Sequence, residues 1–220
     1  NPRTSEGTTL VFGGGSQNVI TGRLRHAQVI NDKLSYKVHL ERTAGREFQY
    51  VDSVYVGTTA YTEKNLDRDF DLLRYGGAVH YKTGKKSELI GYYGHSNNTN
   101  LGVTNAGRNQ IKDWTMDLAQ LKFVSDRFFA NAYYTWSRTD ETYAINQRTQ
   151  NYVSFIENGF SEEESWRRAL YEQWVPAFGI AIPRGALFKD ASERFNAEAQ
   201  YNNNWGDFYL TVGAQYQKDM

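Results

Sequence analysis

Leu34-Ser35-Tyr36-Lys37-Val38-His39-Leu40-Glu41 alternates without a break. Leu34, Tyr36, Val38 and Leu40 fall on one side, and Ser35, Lys37, His39 and Glu41 fall on the other. A period of two belongs to an extended strand, because successive side chains leave opposite faces of a pleated backbone. The preceding stretch, roughly Ile20 to Ile30, carries Arg23 and Arg25 on a common polar face and joins it across an Asn31-Asp32-Lys33 turn.

The pattern recurs along the chain. Leu73, Tyr75, Gly77, Val79 and Tyr81 alternate with Arg74, Gly76, Ala78 and His80; Ala130, Ala132, Tyr134 and Trp136 alternate with Asn131, Tyr133 and Thr135. Near the end, Phe195, Ala197, Ala199 and Tyr201, then Phe208, Leu210, Val212, Ala214 and Tyr216, interleave with a face rich in Asn, Gln, Thr and Tyr. Further strands are expected over Thr8 to Gly14, Ser87 to Ser96 and Trp114 to Phe123, about nine in all by this count. All three prolines, Pro2, Pro176 and Pro183, fall outside these runs, as a ladder of hydrogen bonds requires.

The links decide between all-β architectures. Short turns at Asn31 to Lys33, Thr83 to Lys86, Ser125 to Arg127 and Asn202 to Gly206 alternate with longer segments at Thr43 to Arg68, Asn97 to Gln110 and Thr139 to Lys189. Tight turns at one end and long loops at the other characterise an antiparallel up-and-down transmembrane β-barrel. Aromatics gather at both expected rims: Tyr81, Phe123, Phe128, Tyr201, Trp205 and Phe208 by the short turns, Tyr75, Trp114, Trp136 and Tyr216 opposite. The long segment 139–189 is expected to be extracellular and to hold a short helix. Ser161 and Glu164 have capping-box spacing, Glu163–Arg167 and Glu164–Arg168 are i,i+4 pairs, and Trp166 and Leu170 share a face.

Composition narrows the function. The 25 basic and 25 acidic side chains cancel, which leaves no footprint for nucleic acid. Without cysteine there is neither a disulfide framework nor a thiolate metal site, and His26, His39, His80 and His95 are too scattered to suggest a metal centre. A mean hydropathy of −0.69, with no long apolar run, excludes a membrane helix but allows a barrel, where only alternate strand residues face lipid. Gly13-Gly14-Gly15 lacks the context of a phosphate loop and reads as a bend or as close packing in a strand. Glu162-Glu163-Glu164 reads as a solvated first turn of helix. No catalytic residues, metal or cofactor are expected. The chain opens at Asn1 with no signal peptide and stops at Met220 after a strong strand, which suggests a piece of a longer protein.

Asn1-Pro2-Arg3-Thr4-Ser5-Glu6-Gly7 leading into Thr8-Thr9-Leu10-Val11-Phe12-Gly13-Gly14-Gly15 resembles the plug-to-barrel junction of TonB-dependent outer-membrane receptors. The Gly22-Arg23-Leu24-Arg25 strand, the Asn-Asp turn, Arg108-Asn109-Gln110-Ile111-Lys112-Asp113 and the Trp136-Ser137-Arg138-Thr139-Asp140 strand exit are also similar. The resemblance implies the first part of a barrel of about 22 strands, with residues 1–7 as the junction. It also implies a bacterial outer-membrane location and energy-coupled uptake of a scarce ligand: a siderophore, cobalamin or an oligosaccharide. The partners implied are outer-membrane lipid, a plug domain, an inner-membrane energy-coupling protein and a small extracellular ligand. A passive porin and a soluble all-β carbohydrate-binding protein are the competing readings.

Two groups of residues are candidates for ligand chemistry. Tyr143, Tyr152, Phe155, Trp166, Tyr171, Trp174 and Phe178 place seven rings in the long loop, either to stack on a ligand or to pack on one another. Arg23, Arg25, Lys37 and Arg74 are expected to face the lumen, where they would attract an anion or pair with acidic groups.

Overall fold

The computed structural model describes residues 1–50, 52–104 and 107–220. After a 3-10 turn at Pro2–Thr4 come β1 (Gly7–Gly14), β2 (Ile20–Val29), β3 (Leu34–Arg46), β4 (Ser53–Val56), β5 (Thr59–Thr62), β6 (Asp69–Gly84), β7 (Ser87–Thr104), β8 (Gly107–Val124) and β9 (Phe128–Ala144). Helices α1 (Ile145–Ile156) and α2 (Glu162–Arg168) follow, then β10 (Gln173–Val175), β11 (Ile180–Ile182), β12 (Leu187–Asp190), β13 (Glu193–Trp205) and β14 (Phe208–Asp219). The protein is all-β apart from these short helices. Nine strands pair in the order β1-β2-β3-β6-β7-β8-β9-β13-β14, every neighbour antiparallel, and β12 also pairs with β9. The sheet is open: among the described residues β1 and β14 do not pair with each other.

Burial on this sheet is inverted relative to a water-soluble layer. On β3, Val38 and Leu40 are 41% and 44% exposed, while Ser35 on the opposite face is fully buried. The register carries the inversion across the sheet. Tyr36, Val79, Gly91, Leu121, Ala132, Ala197 and Tyr216 form one cross-strand row on the exposed apolar face. The row behind it runs through Ser35, His80, Ile90, Lys122, Asn131, Glu198 and Gln215. Buried Ser35, Ala27, Ala78, His80, Asn131 and Asn196 lie on this second, polar face. There Gln120 donates to Asn131, and Asn131 donates to Glu198.

The apolar belt also slants across the sheet. Phe12 on β1 shares a row with Gly22, Arg42, Leu73, Asn97, Thr115 and Arg138, so a row that is apolar at one edge is polar further on. At the other edge the apolar run of β14 ends at Tyr216, whose row crosses β3 at Tyr36 rather than Arg42. Six residues along a strand are about 20 Å, and eight strand steps are about 38 Å. The belt therefore crosses the strands obliquely.

The strands run further than alternation suggested. The long link expected over Asn97 to Gln110 is instead paired strand, since β7 extends to Thr104 and β8 starts at Gly107; only 105–106 of that span lie outside the described residues. Beyond the belt Leu101, Val103 and Ile111 stand among mostly polar residues and the register shifts between Asn98 and Asn100, so the period fades while backbone pairing continues. The last turn sits at Gly206-Asp207, with Gly206 in the left-handed region, rather than within Asn202 to Gly206. The rim aromatics Tyr75, Trp136, Tyr216, Tyr81, Phe123, Phe128, Tyr201, Trp205 and Phe208 share the apolar face by register. Trp114 does not. It lies on the polar face, where its indole N–H donates to Ser137 at 2.7 Å. A donor that finds a buried hydroxyl gains more there than an indole exposed on the apolar side. Gly13 is a paired residue of β1, where a Cβ would lie 2.9 Å from Cγ2 of its cross-strand partner Thr21, which is close packing in a strand and not a bend.

Between β9 and β13 the chain builds a small lobe. α2 starts where expected: Ser161 Oγ accepts from the Glu164 amide at 3.3 Å, with three acids in the first turn. Arg168 pairs with Glu164 and Glu172, but no Glu163–Arg167 ion pair forms among the described residues. Trp166 and Leu170 serve two separate apolar clusters, because α2 ends at Arg168 and Leu170 lies beyond it. α1 was not expected, and neither were β4–β5, β10–β11 and β12. α1 begins at Ile145 after Ala144, which offers no side-chain cap, and carries no acid in its first turn. Ser161→Ala should weaken the α2 turn by about 1 kcal/mol, read as faster amide exchange over residues 162–168 with the sheet amides unchanged.

Candidate functional site

The lobe and the end of the sheet enclose a pocket of about 420 Å³, lined by three aromatic rings and by side chains of both signs of charge. Its walls come from five segments. The link before β6 supplies Asn65 and Asp67, β8 supplies Lys112, the β9–α1 junction supplies Asp140, Glu141, Tyr143 and Arg148, and the α2 exit supplies Trp166, Leu170 and Tyr171, with Leu187 from β12.

Each wall is fixed by local chemistry. Tyr143 is held between Gln110 and Leu187 by strand pairing. The Asp67 amide donates to Gln110 Oε1 at 3.1 Å, and Lys112 Nζ lies 3.4 Å from the Asp67 carboxylate. Buried Asn151 of α1 donates through Nδ2 to the carbonyls of Ala169 (2.9 Å) and Arg184 (2.7 Å), tying three lobe segments together. Arg148, one turn into α1, lies with its guanidinium carbon 3.8 Å from the Trp166 ring centre and 4.5 Å from that of Tyr143. Its Nη2 donates to the Trp166 carbonyl at 3.2 Å, while Nε is buried without a partner. Burial pulls its pKa below the usual arginine range.

The seven expected loop aromatics separate by role. Tyr143, Tyr152, Phe155, Trp166 and Trp174 interlock inside the lobe: Trp166 meets Tyr143 and Tyr152 edge-on at 6.5 and 6.0 Å, and Phe155 lies 6.2 Å from Trp174. Tyr171 and Phe178 stay on the surface. Of the seven, Tyr143, Trp166 and Tyr171 line the pocket. The charged residues beside them, Asp67, Lys112, Asp140, Glu141 and Arg148, were missed by sequence reasoning. The available signal was the five-residue step from Tyr143 to Arg148, which brings the two together only once a helix starts between them.

Arg23, Arg25, Lys37 and Arg74 share the polar face of the sheet, well apart from this pocket's lining. Arg23 Nε sits 3.1 Å from Glu41, which stands opposite both Arg23 and Arg74. Arg25 donates to the Ser5 carbonyl and hydroxyl at 2.6 Å. Lys37 lies between buried Ala27 and Ala78. The histidines are separately engaged: His26 with Thr8 and Tyr36, His39 stacked on Tyr92, His80 beside Glu88, and His95 with Asp117. Among the described residues no cluster of three or more metal-ligating side chains occurs.

No family model matches the chain, and no curated protein or solved structure is significantly similar to it. Function therefore rests on geometry.

Two other ring-stacked arginines help to read the pocket. Arg108 stacks over Tyr50 at 4.1 Å and pairs with Glu63 in a fully buried bridge. Arg168 lies over Phe155 at 4.6 Å and is held by Glu172 and Glu164, so hydrogen bonding to Glu172 raises its pKa. Arg148 has the ring platform without the carboxylate: no ion pair to it forms among the described residues. On the lobe's outer side, the Tyr61 hydroxyl donates to Glu157, and its pKa is raised chiefly by that bond.

Proposed function

We propose that this chain forms part of the wall of an outer-membrane β-barrel, and that the barrel belongs to an energy-coupled importer of the TonB-dependent kind. The observation that carries the reading is the inverted sheet, with large apolar side chains exposed on one face and Ser, His, Asn and Ala buried on the other. In water, an exposed apolar face spanning nine strands would be a heavy liability. In a bilayer it is the face that meets lipid, and the polar face encloses a lumen. The slant of the belt supports the same reading, because strands tilted in a barrel cross a level membrane at shifting register. No helix of the described residues is long and apolar enough to span, so any crossing would be made by strands.

The open edges of β1 and β14 fit this reading only if further strands pair with them, because lipid leaves no water to satisfy a bare edge. The lobe and its pocket lie at the end away from the tight turns, the extracellular end of such a barrel, where ligand capture takes place. Uptake through the full-length protein tests energy coupling. Abolition of uptake when the proton-motive force is collapsed supports the importer, whereas undiminished uptake indicates a passive channel. Recovery of the full-length protein from the soluble fraction without detergent would remove the membrane reading altogether.

A further inference from the structure

The pocket under the lobe holds three charges that the fold leaves uncompensated, and they fall into two signs. Arg148 stacks between Trp166 and Tyr143 with no carboxylate in ion-pair range, whereas Arg108 and Arg168, equally ring-stacked, each have one or two glutamates. The other two ring-stacked arginines thus come with a counter-ion, and the pocket arginine does not. Asp140 and Glu141 line the same pocket and form no ion pair among the described residues, while Lys112 and Asp67 neutralise each other. A partly buried cation stacked on rings and lacking a carboxylate favours an incoming anion, since stacking leaves the guanidinium edge to recognise it. Two exposed carboxylates favour an ammonium group.

We propose that this pocket binds a small zwitterion, an amino acid or short peptide with an apolar or aromatic body. Arg148 takes the carboxylate, Asp140 and Glu141 face the ammonium, and Leu170, Leu187 and Tyr171 pack against the body. A volume of about 420 Å³ suits a ligand of this size. A simple anion would leave the two acids unanswered, and a simple cation would leave Arg148 unanswered. The inference rests on the lobe being the ligand-capturing element, but not on the sheet crossing a membrane.

Three probes of matched shape separate these contributions: L-phenylalanine, 3-phenylpropanoate, which lacks the amine, and 2-phenylethylamine, which lacks the carboxylate. Titration of the full-length protein, followed by ligand-observed NMR, should find phenylalanine bound at least about tenfold more tightly than either analogue. Arg148→Gln should abolish the preference over phenylethylamine. Asp140→Asn with Glu141→Gln, both at exposed positions, should abolish the preference over phenylpropanoate even if Arg148→Gln disturbs the lobe. Equal binding of phenylalanine and either analogue, no binding of any probe, or indifference to the Asp140/Glu141 double substitution overturns the proposal. Fractionation of the same protein between membrane and soluble pools reports separately on the membrane reading.

Discussion

If the apolar belt meets lipid as proposed, Val79→Arg should destabilise the folded full-length protein in phospholipid vesicles by about 2–4 kcal/mol, the cost of a cation near the middle of a bilayer. Val79 is 52% exposed and stands in the apolar row between Tyr36 and Gly91. In a water-soluble sheet an arginine at a half-exposed position would be nearly neutral, so the size of the effect reports the solvent on that side. Gln120→Arg, two strands away on the other face, is the control. It should cost no more than the ~1 kcal/mol of the hydrogen bond from Gln120 to Asn131. Denaturant titration of both variants in the same vesicles compares them directly. Equal costs would mean that the two faces see the same medium.

Phe155→Ala should unfold the lobe while leaving the sheet intact. Phe155 is fully buried, with Phe160 edge-on at 5.2 Å, Trp174 at 6.2 Å and the Arg168 guanidinium over its ring. Truncation of such a ring to alanine costs about 3–5 kcal/mol. The lobe's apolar clusters are small, gathered around Tyr152, Val153 and Ala169 on one side and Tyr143, Ile145 and Ala186 on the other. A loss of that size is comparable to what so small a unit can hold, so amide protection should vanish over α1 and α2 and persist over β6 to β8. Zwitterion binding should disappear in the same variant, because Arg148 and Trp166 are positioned by those two helices. Retained protection in α1 would show that the lobe is braced by the sheet rather than by its own rings.

The sheet was legible in the sequence wherever the two sides of a strand meet different surroundings. Across the belt, Leu34 to Glu41 and Phe208 to Gln217 sort apolar from polar at every step, and all nine strands of the main sheet were anticipated there. The signal failed where that contrast ends. Asn97 to Thr104 and Gly107 to Ile111 continue as paired strands, but there few apolar residues stand among many polar ones and the register shifts between Asn98 and Asn100, so composition suggested a loop. Trp114 was assigned by residue type to an aromatic rim, but its N–H had a partner on the polar face. In the lobe, α2 announced itself through Ser161 and Glu164, whereas α1 starts without a cap and depends on packing by Tyr152, Val153 and Phe155 against neighbours distant in sequence. The pocket's charges escaped for the same reason: Asp67, Lys112 and Arg148 converge only after three separate segments have folded.

The absence of cysteine opens a direct experiment on the sheet itself. Single nitroxide labels placed through Tyr36→Cys, Lys37→Cys, Val38→Cys, His39→Cys and Leu40→Cys in the full-length protein, reconstituted in vesicles, can be scored for collision with oxygen and with a water-soluble nickel reagent. Oxygen, which concentrates in lipid, should dominate at 36, 38 and 40, and the nickel reagent should gain at 37 and 39. Collision rates without a period of two, or with nickel favoured at 36, 38 and 40, would contradict a sheet whose apolar side faces lipid.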